Sequence, residues 1–404
     1  MKWFLGVVGL YFFFFSIYLS FIFFIGAFFK KRDNKKITKF HNFAIVIPAH
    51  NEASIISKTL ENIQRLDYPL ELYTIFVIAD NCTDNTADIV RKLGIICLER
   101  NEKEKRGKGF ALQWFFEKIL KSNWQFDAFV IIDADTIVSK NFLKSMNIKL
   151  NLGNKVLTSW GGILNPEMSP TLMIGHLARF LRNIKSKGKS ILGCNVPFRG
   201  NGLCISYEIV KKYGWKATSI TEDREYWAML HLKGIKGTFV NEVSVLSYLP
   251  KKISNYGISV ARWDIGEIRI TKKFLLPFVK LWLKHKTFTN FEAILELLSL
   301  PFTYFLDLLV IFFCLCWISL PHYTFIHLFY LISLSLMCLV IFLTLKLANL
   351  NLGAYKHLLT WGIFILIWRP WNFLKRYRGK SRTEWLRTKR EEGKNKCGNY
   401  IKGV

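Results

Sequence analysis

The chain has 404 residues, with 57 Lys and Arg against 29 Asp and Glu and a formal net charge of +28. At roughly 100–200 residues per domain, that length suggests two or three units. The charge does not point to nucleic acid: much of the excess flanks apolar segments, and no zinc-finger or RNA-binding signature interleaves it.

Leu5 to Phe29 is almost wholly apolar. A bilayer core of roughly 30 Å needs about 20 such residues, so 1–30 is expected to be a transmembrane anchor. A signal peptide is the weaker reading, because the apolar run is long and no small-x-small site precedes Lys30-Lys31-Arg32. The basic residues that follow (Lys30, Lys31, Arg32, Lys35, Lys36 and Lys39) place the next segment in the cytosol by the positive-inside rule. Residues 40–250 alternate short apolar runs with polar turns and are expected to form a cytosolic α/β domain. Residues 251–297 mix basic and apolar residues, as an interfacial amphipathic segment does. Residues 298–372 are expected to hold two further spans, near Leu300–Leu320 and Phe325–Lys346, and an interfacial or re-entrant helix at Tyr355–Trp371. Residues 373–404 form a basic tail that also fits the cytosol. This topology makes the protein a multi-pass cell-membrane protein with its globular domain in the cytosol. The eight cysteines contain no Cys-x-x-Cys pair and read as reduced thiols.

Within the globular region the expected elements alternate. Phe43–Pro48, Thr74–Ile78, Ile95–Leu98 and Phe129–Ile132 read as strands. Ala53–Arg65, Thr83–Leu93 and Gly109–Lys121 read as helices. Such alternation predicts a largely parallel sheet covered on both faces. Lys155–Trp160 is a further candidate strand. Pro170–Lys187 and the stretch from Ile220 to about Leu232 are candidate helices.

Several motifs fall at the ends of these elements. Asp133-Ala134-Asp135 closes the fourth strand, and its two carboxylates suit a hard cation that also takes phosphate oxygens. Pro48-Ala49-His50-Asn51-Glu52 follows the first strand and is expected to open a helix. Its backbone donors and Glu52 suit a nucleotide, and a capped helix start is the plainer reading. Asp80 ends the second strand and suits a nucleobase N–H, while Asp84 reads as an Asx turn or cap. Arg106-Gly107-Lys108-Gly109 suits a phosphate, against a solvated basic turn. Thr221-Glu222-Asp223 opens a helix, as a cap or as the seat of a general base. Arg262-Trp263 offers paired donors and a flat apolar face, against a snorkelling interfacial pair.

Taken in order, Ile45–Glu52, Asp80, Asp133-Ala134-Asp135, Thr221-Glu222-Asp223 and Arg262-Trp263 resemble the membrane-bound family 2 glycosyltransferases of the GT-A fold, a Rossmann-like nucleotide-sugar domain. Polysaccharide synthases and ceramide glucosyltransferases belong to that branch. The resemblance implies an inverting transfer from a UDP-sugar to a lipid or glycan acceptor. Pro48, Ala49, Glu52 and Asp80 are implied to hold the uridine. Asp133 and Asp135 are implied to hold Mg²⁺ or Mn²⁺ on the diphosphate, with Lys108 nearby. Asp223, next to Glu222, is implied to be the general base, and Arg262 and Trp263 to line the diphosphate and acceptor end. Two positions depart from the pattern. Ala79 stands before Asp80 where an acid is common, and Ser259 stands where Gln-x-x-Arg-Trp has its Gln. A processive exopolysaccharide synthase is the alternative within the family. A membrane transport or nucleotide-binding component is the alternative outside it.

Overall fold

The computed structural model describes residues 1–30, 37–164, 166–249, 252–350 and 352–377. The basic residues 31–36 and the tail from 378 onward therefore lie outside the described residues. In chain order the elements are α1 (Lys2–Phe28), β1 (Phe43–Ala49), α2 (Ile56–Gln64), β2 (Tyr73–Asp80), α3 (Thr86–Lys92), β3 (Ile96–Arg100), α4 (Lys108–Ile119) and β4 (Ala128–Ile131). There follow β5 (Thr136–Val138), α5 (Phe142–Asn151), β6 (Val156–Ile163), α6 (Pro170–Ile191), β7 (Leu203–Ser206), α7 (Tyr207–Tyr213), α8 (Glu222–His231) and β8 (Gly237–Ser247). The chain then runs through α9 (Ile253–His285), α10 (Phe288–Leu298), α11 (Phe302–Ser319), α12 (Thr324–Leu347) and α13 (Leu352–Tyr377). Two compact units result.

The α/β unit is built on one sheet of order β3-β2-β1-β4-β7-β6-β8-β5. The first four strands pair in parallel, as the alternating pattern predicts. Beyond β4 the sheet is mixed. β7 runs antiparallel to β4 and β6, and β5 antiparallel to β8. The expectation of a largely parallel sheet thus holds for half of it. β5 and β7 span only Thr136–Val138 and Leu203–Ser206, too few residues for a periodic signal. Only Ile132–Asp135 separate β4 from β5, yet β7, β6 and β8 lie between them in the pairing order. The sheet must therefore curl back on itself, and Asp133-Ala134-Asp135 occupies the curl.

Both sheet faces are packed. Residues that alternate along β1, such as Ala44 and Val46 against Phe43, Ile45 and Ile47, enter opposite cores. α9 is one 33-residue helix. Its residues Ile270, Phe274 and Phe278 are buried in the core that also holds Phe116, Trp215 and Trp227. The apolar residues expected to face a membrane surface are thus partly used to cover the sheet domain.

The helical unit groups α1, α6 and α11–α13. α1, α11 and α12 are each long and apolar enough to cross a membrane, by length and composition, and match the three expected spans. α6 was expected within the globular domain and groups here instead. It meets α1 where both helices carry glycine. A Cβ on Gly26 would lie 2.0 Å from the Ile184 carbonyl oxygen, and one on Gly188 would lie 2.1 Å from that of Ile22. Small residues that let helix backbones meet are a common membrane-helix device. Tyr330 on α12 donates to the Leu5 carbonyl at 2.8 Å, and its ring lies against Gly9.

The glycine contact predicts that Gly26→Val or Gly188→Val lowers the thermal stability of the detergent-solubilised protein markedly. Gly6→Ala, whose Cβ would meet nothing closer than 3.9 Å, should have little effect. A second prediction concerns His231, which accepts from the Asn195 amide at 2.9 Å and packs 4.5 Å from the Phe278 ring centre. Burial holds its imidazole down at about 4, with Lys236 adding to the shift. The unfolded chain takes up this proton below roughly pH 6.5, and the folded chain does not until about pH 4. Stability contributed by neutral His231 should be lost progressively as pH falls through that window. Melting curves of the parent should therefore drop more steeply there than those of His231→Gln.

Candidate active site

β1, β2 and β4 are parallel neighbours, so their carboxyl ends share one edge of the sheet. Ala49, Asp80 and the Asp133-Ala134-Asp135 turn all lie at that edge, where open α/β sheets bind ligands. Asp80 is buried and ion-paired with Arg100 Nη1 at 2.5 Å. Burial raises its carboxyl above the usual range, against the lowering effect of Arg100. Arg100, at the end of β3, was not anticipated. A lone Arg closing an edge strand gives no sequence signal until its neighbour across the ladder, Asp80, is known.

The turn at 50–55 corrects one expectation. Pro48–Glu52 does not open a helix, because α2 begins only at Ile56. Its backbone donors are already engaged: Asn51 N–H with Cys82 Sγ at 3.4 Å, Glu52 N–H with Thr86 Oγ1 at 2.9 Å and Ala53 N–H with Asp84 Oδ2 at 3.2 Å. They are spent on joining two adjacent turns. Asn51 adopts φ 56° and Asn81 φ 51°, the left-handed conformation that Asn tolerates best after Gly. The Asp84 carboxylate accepts from Thr86 N–H at 3.1 Å, the Asx-turn role expected of it.

The acidic motifs meet around Gly200. Lys108, at the start of α4, donates to Asp133 Oδ1 at 2.5 Å and to the Gly200 carbonyl at 2.7 Å, and lies 3.7 Å from Glu222 Oε1. Its side chain is only 20% exposed, so it is not a solvated basic turn. The Gly200 N–H donates to Asp223 Oδ2 at 2.7 Å, and Arg224 N–H donates to Asp223 Oδ1 at 2.8 Å. A Cβ on Gly200 would come within 3.0 Å of both Glu222 Oε1 and Lys108 Nζ, so a side chain here would press on the two groups that form the cluster. Gly109 works in the same way, since a Cβ there would lie 2.6 Å from the Ala217 carbonyl. Asn201 accepts from Asp133 N–H at 3.1 Å and donates to Thr136 Oγ1 at 2.7 Å and Ser247 Oγ at 3.0 Å, which fixes the acidic turn. Phe198–Gly202 reads as a plain turn in the sequence, and the roles of Gly200 and Asn201 appear only in three dimensions.

Burial pushes the Glu222 carboxyl up to about 7, with Asp223 and Asp133 adding to the rise and Lys108 opposing it. Asp135 is buried, and its carboxylate accepts from the Thr136 hydroxyl at 3.3 Å. Arg262, on α9, feels the charges of Glu222 and Asp133, and burial lowers its affinity for its proton. Its Nε is buried with no hydrogen-bond partner among the described residues. A guanidinium held in this way is suited to an incoming anion. Trp263, the next residue, is half-buried. The structure thus brings Lys108, Asp133, Glu222 and Asp223 into one cluster, with Arg262 in its field. Pro48, Ala49 and Asp80 lie at the strand ends, and Glu52 in the adjoining turn.

The chain shares 27% identity with the probable glycosyltransferase YdaM of Bacillus subtilis, over 69% of this chain and 65% of that protein. It shares 24% with a probable glucomannan 4-beta-mannosyltransferase of Arabidopsis thaliana, over 68% and 55%. It shares 25% with a beta-monoglucosyldiacylglycerol synthase of Nostoc, over 47% and 41%. The chain thus spans less than two thirds of the length of each of these relatives. A mannosyltransferase from Pyrobaculum calidifontis, solved in complex with GDP-Man and Mn²⁺, superposes with a TM-score of 0.56 at 18% identity, over 92% of this chain and 96% of that one. That likeness is one of fold, and the fold is GT-A. The family profile described as "Glycosyltransferase like family 2" matches residues 41–266. With more than half of its length matched, and with that fold, the chain belongs to the family 2 glycosyltransferases.

Proposed function

We propose that this transferase moves one sugar, with inversion, from a nucleoside diphosphate sugar to a lipid or membrane-associated glycan. The observation that carries the reading is the convergence of two acidic motifs and Lys108 on Gly200 at the ligand-binding edge of the sheet, with Arg262 in the field of Glu222 and Asp133. Asp80, held in place by the buried Arg100, is suited to accept from the base. The uridine donor implied by the motifs is the form we favour. Three apolar helices and relatives named for membrane lipids or polysaccharides support an acceptor at the membrane. A multi-pass location with the α/β unit in the cytosol follows from the basic residues after α1.

Among the described residues no group of three or more His, Cys, Asp or Glu clusters as a metal site. Mg²⁺ and Mn²⁺ need fewer when a substrate supplies phosphate oxygens. Asp133 fits that role, since its carboxylate with the oxygens of Gly200 and Glu222 already surrounds a cation, the Lys108 ammonium; Asp135, buried in the same turn, would be the second ligand. A metal bound by the two aspartates would stabilise charge on the departing diphosphate. Arg262 pairs with the same diphosphate. Asp223 takes the acceptor hydroxyl proton as the new C–O bond forms at the anomeric carbon and the bond to the diphosphate breaks. Glu222 carries a carboxyl near neutrality beside it, and it tunes the field at Asp223. Trp263 offers its face to the acceptor sugar or lipid head.

The test is nucleotide release by solubilised protein with a panel of UDP- and GDP-sugars, Mn²⁺ or Mg²⁺, and lipid extract. Asp135→Ala should lower kcat by about a thousandfold, in keeping with the several kcal/mol a metal contributes, and should weaken metal-dependent nucleotide binding. Asp223→Asn should lower kcat by roughly 10²–10⁴ while nucleotide binding persists. Full activity in either variant would contradict the assignment. Products bearing a single added sugar support one transfer per encounter, and long polymers would establish the processive alternative.

A further inference from the structure

The acidic turn at the start of α8 is gripped by α9 at two consecutive residues. Thr221, just before Glu222, packs against Gly266, where an added Cβ would lie 2.3 Å from Thr221 Cγ2. Arg224, just after Asp223, pairs with Glu267 through Nε at 2.9 Å. The Arg224 Nη1 reaches Glu296 on α10 at 3.2 Å. Its guanidinium also lies 4.7 Å from the Trp227 ring centre, and its side chain is 11% exposed. The Arg224 backbone N–H meanwhile donates to Asp223 Oδ1.

The register on α9 gives these contacts meaning. Gly266 lies four residues after Arg262, and Glu267 four after Trp263. Residues four apart share one face of a helix. The stripe that bears Arg262 therefore touches the residue before the acidic pair, and the stripe that bears Trp263 holds the residue after it. The Arg224 guanidinium is a planar, rigid fork of donors that is largely buried, and it fixes direction as well as distance toward the partly exposed Glu267.

We propose that Arg224 and Glu267 are positioning residues that set the Asp223 carboxylate against Arg262 and Trp263. In this way the base and the anion-binding side of the site move as one body. The pair is assigned no contact with substrate or metal; it acts through Asp223. It rests on the reading of Asp223 as the base, and it adds the device that aligns Asp223.

The test compares Glu267→Gln, Arg224→Lys, Gly266→Ala and Lys273→Met in the full-length solubilised protein. Lys273 also links α9 to α8, through Glu225 at 2.6 Å, but it is 59% exposed and about three turns along α9 from Arg262. Melting temperature, UDP affinity in Mn²⁺, kcat, acceptor KM and the pH profile of kcat are measured for each. Glu267→Gln and Gly266→Ala should fold, keep UDP affinity within about twofold and lose roughly 10- to 100-fold in kcat. The acid limb of their pH profile should move. Arg224→Lys, which keeps the charge but not the planar fork, should lose less than Glu267→Gln, and Lys273→Met should stay within about twofold of the parent. The proposal is overturned if the folded variants keep parental kcat, if UDP affinity falls in step with kcat, or if Lys273→Met loses as much. A parent with no turnover on any donor would instead overturn the proposed function itself, before the variants are compared.

Discussion

The site depends on one ammonium group. Asp133 comes from the turn after β4 and Glu222 from the start of α8, nearly ninety residues later in the chain. Glu222 is buried and Asp133 only partly so, and two acidic elements this close repel each other unless a cation lies between them. Lys108 supplies that cation, bound to Asp133 and to the Gly200 carbonyl and within reach of Glu222. Gly200 completes the arrangement from the other side by donating its N–H to Asp223. One ammonium and one glycine thus hold both acidic motifs in a single pocket of charge, with Arg262 as a second cation in the same field.

The curl of the sheet makes this geometry possible. A flat parallel sheet would leave the turn after β4 pointing into solvent beyond the strand ends. Here the chain passes from β4 to the far edge within four residues, so the acidic turn lies on the inner side of a bend. Asn201 fixes the bend by bonding to residues of three segments. α9 then closes the arrangement with one face in the hydrophobic core and another against the acidic turn.

Much of this was legible in the sequence, for definite reasons. β1, β2 and β4 are apolar runs followed by polar residues, and both faces of each are largely buried, so the signal is strong. The three membrane-length helices are equally plain. β5 and β7, of four residues or fewer, have no period to read, and β8 breaks its alternation at Asn241-Glu242, where it slips register against β6. The turn at 50–55 was misread because its N–H groups bond to side chains at 82, 84 and 86, which sequence spacing does not reveal. Arg100 and Gly200 were missed for the same reason. Each acts on a residue distant in the chain, and only the folded sheet brings them together. α6 was assigned to the wrong unit because its alternation of apolar and basic residues fits a domain surface as well as it fits packing on α1, and only the Gly26–Gly188 contact decides between them.

In the proposed mechanism a single carboxylate, Asp223, activates the acceptor for one direct displacement at the anomeric carbon. The anomeric configuration of the first product, read by NMR from a reaction with a donor of known configuration, tests it most directly. An α-linked donor that gives a β-linked product is the predicted result. An α-linked product would require a second displacement or a different mechanism, and would contradict the role given to Asp223.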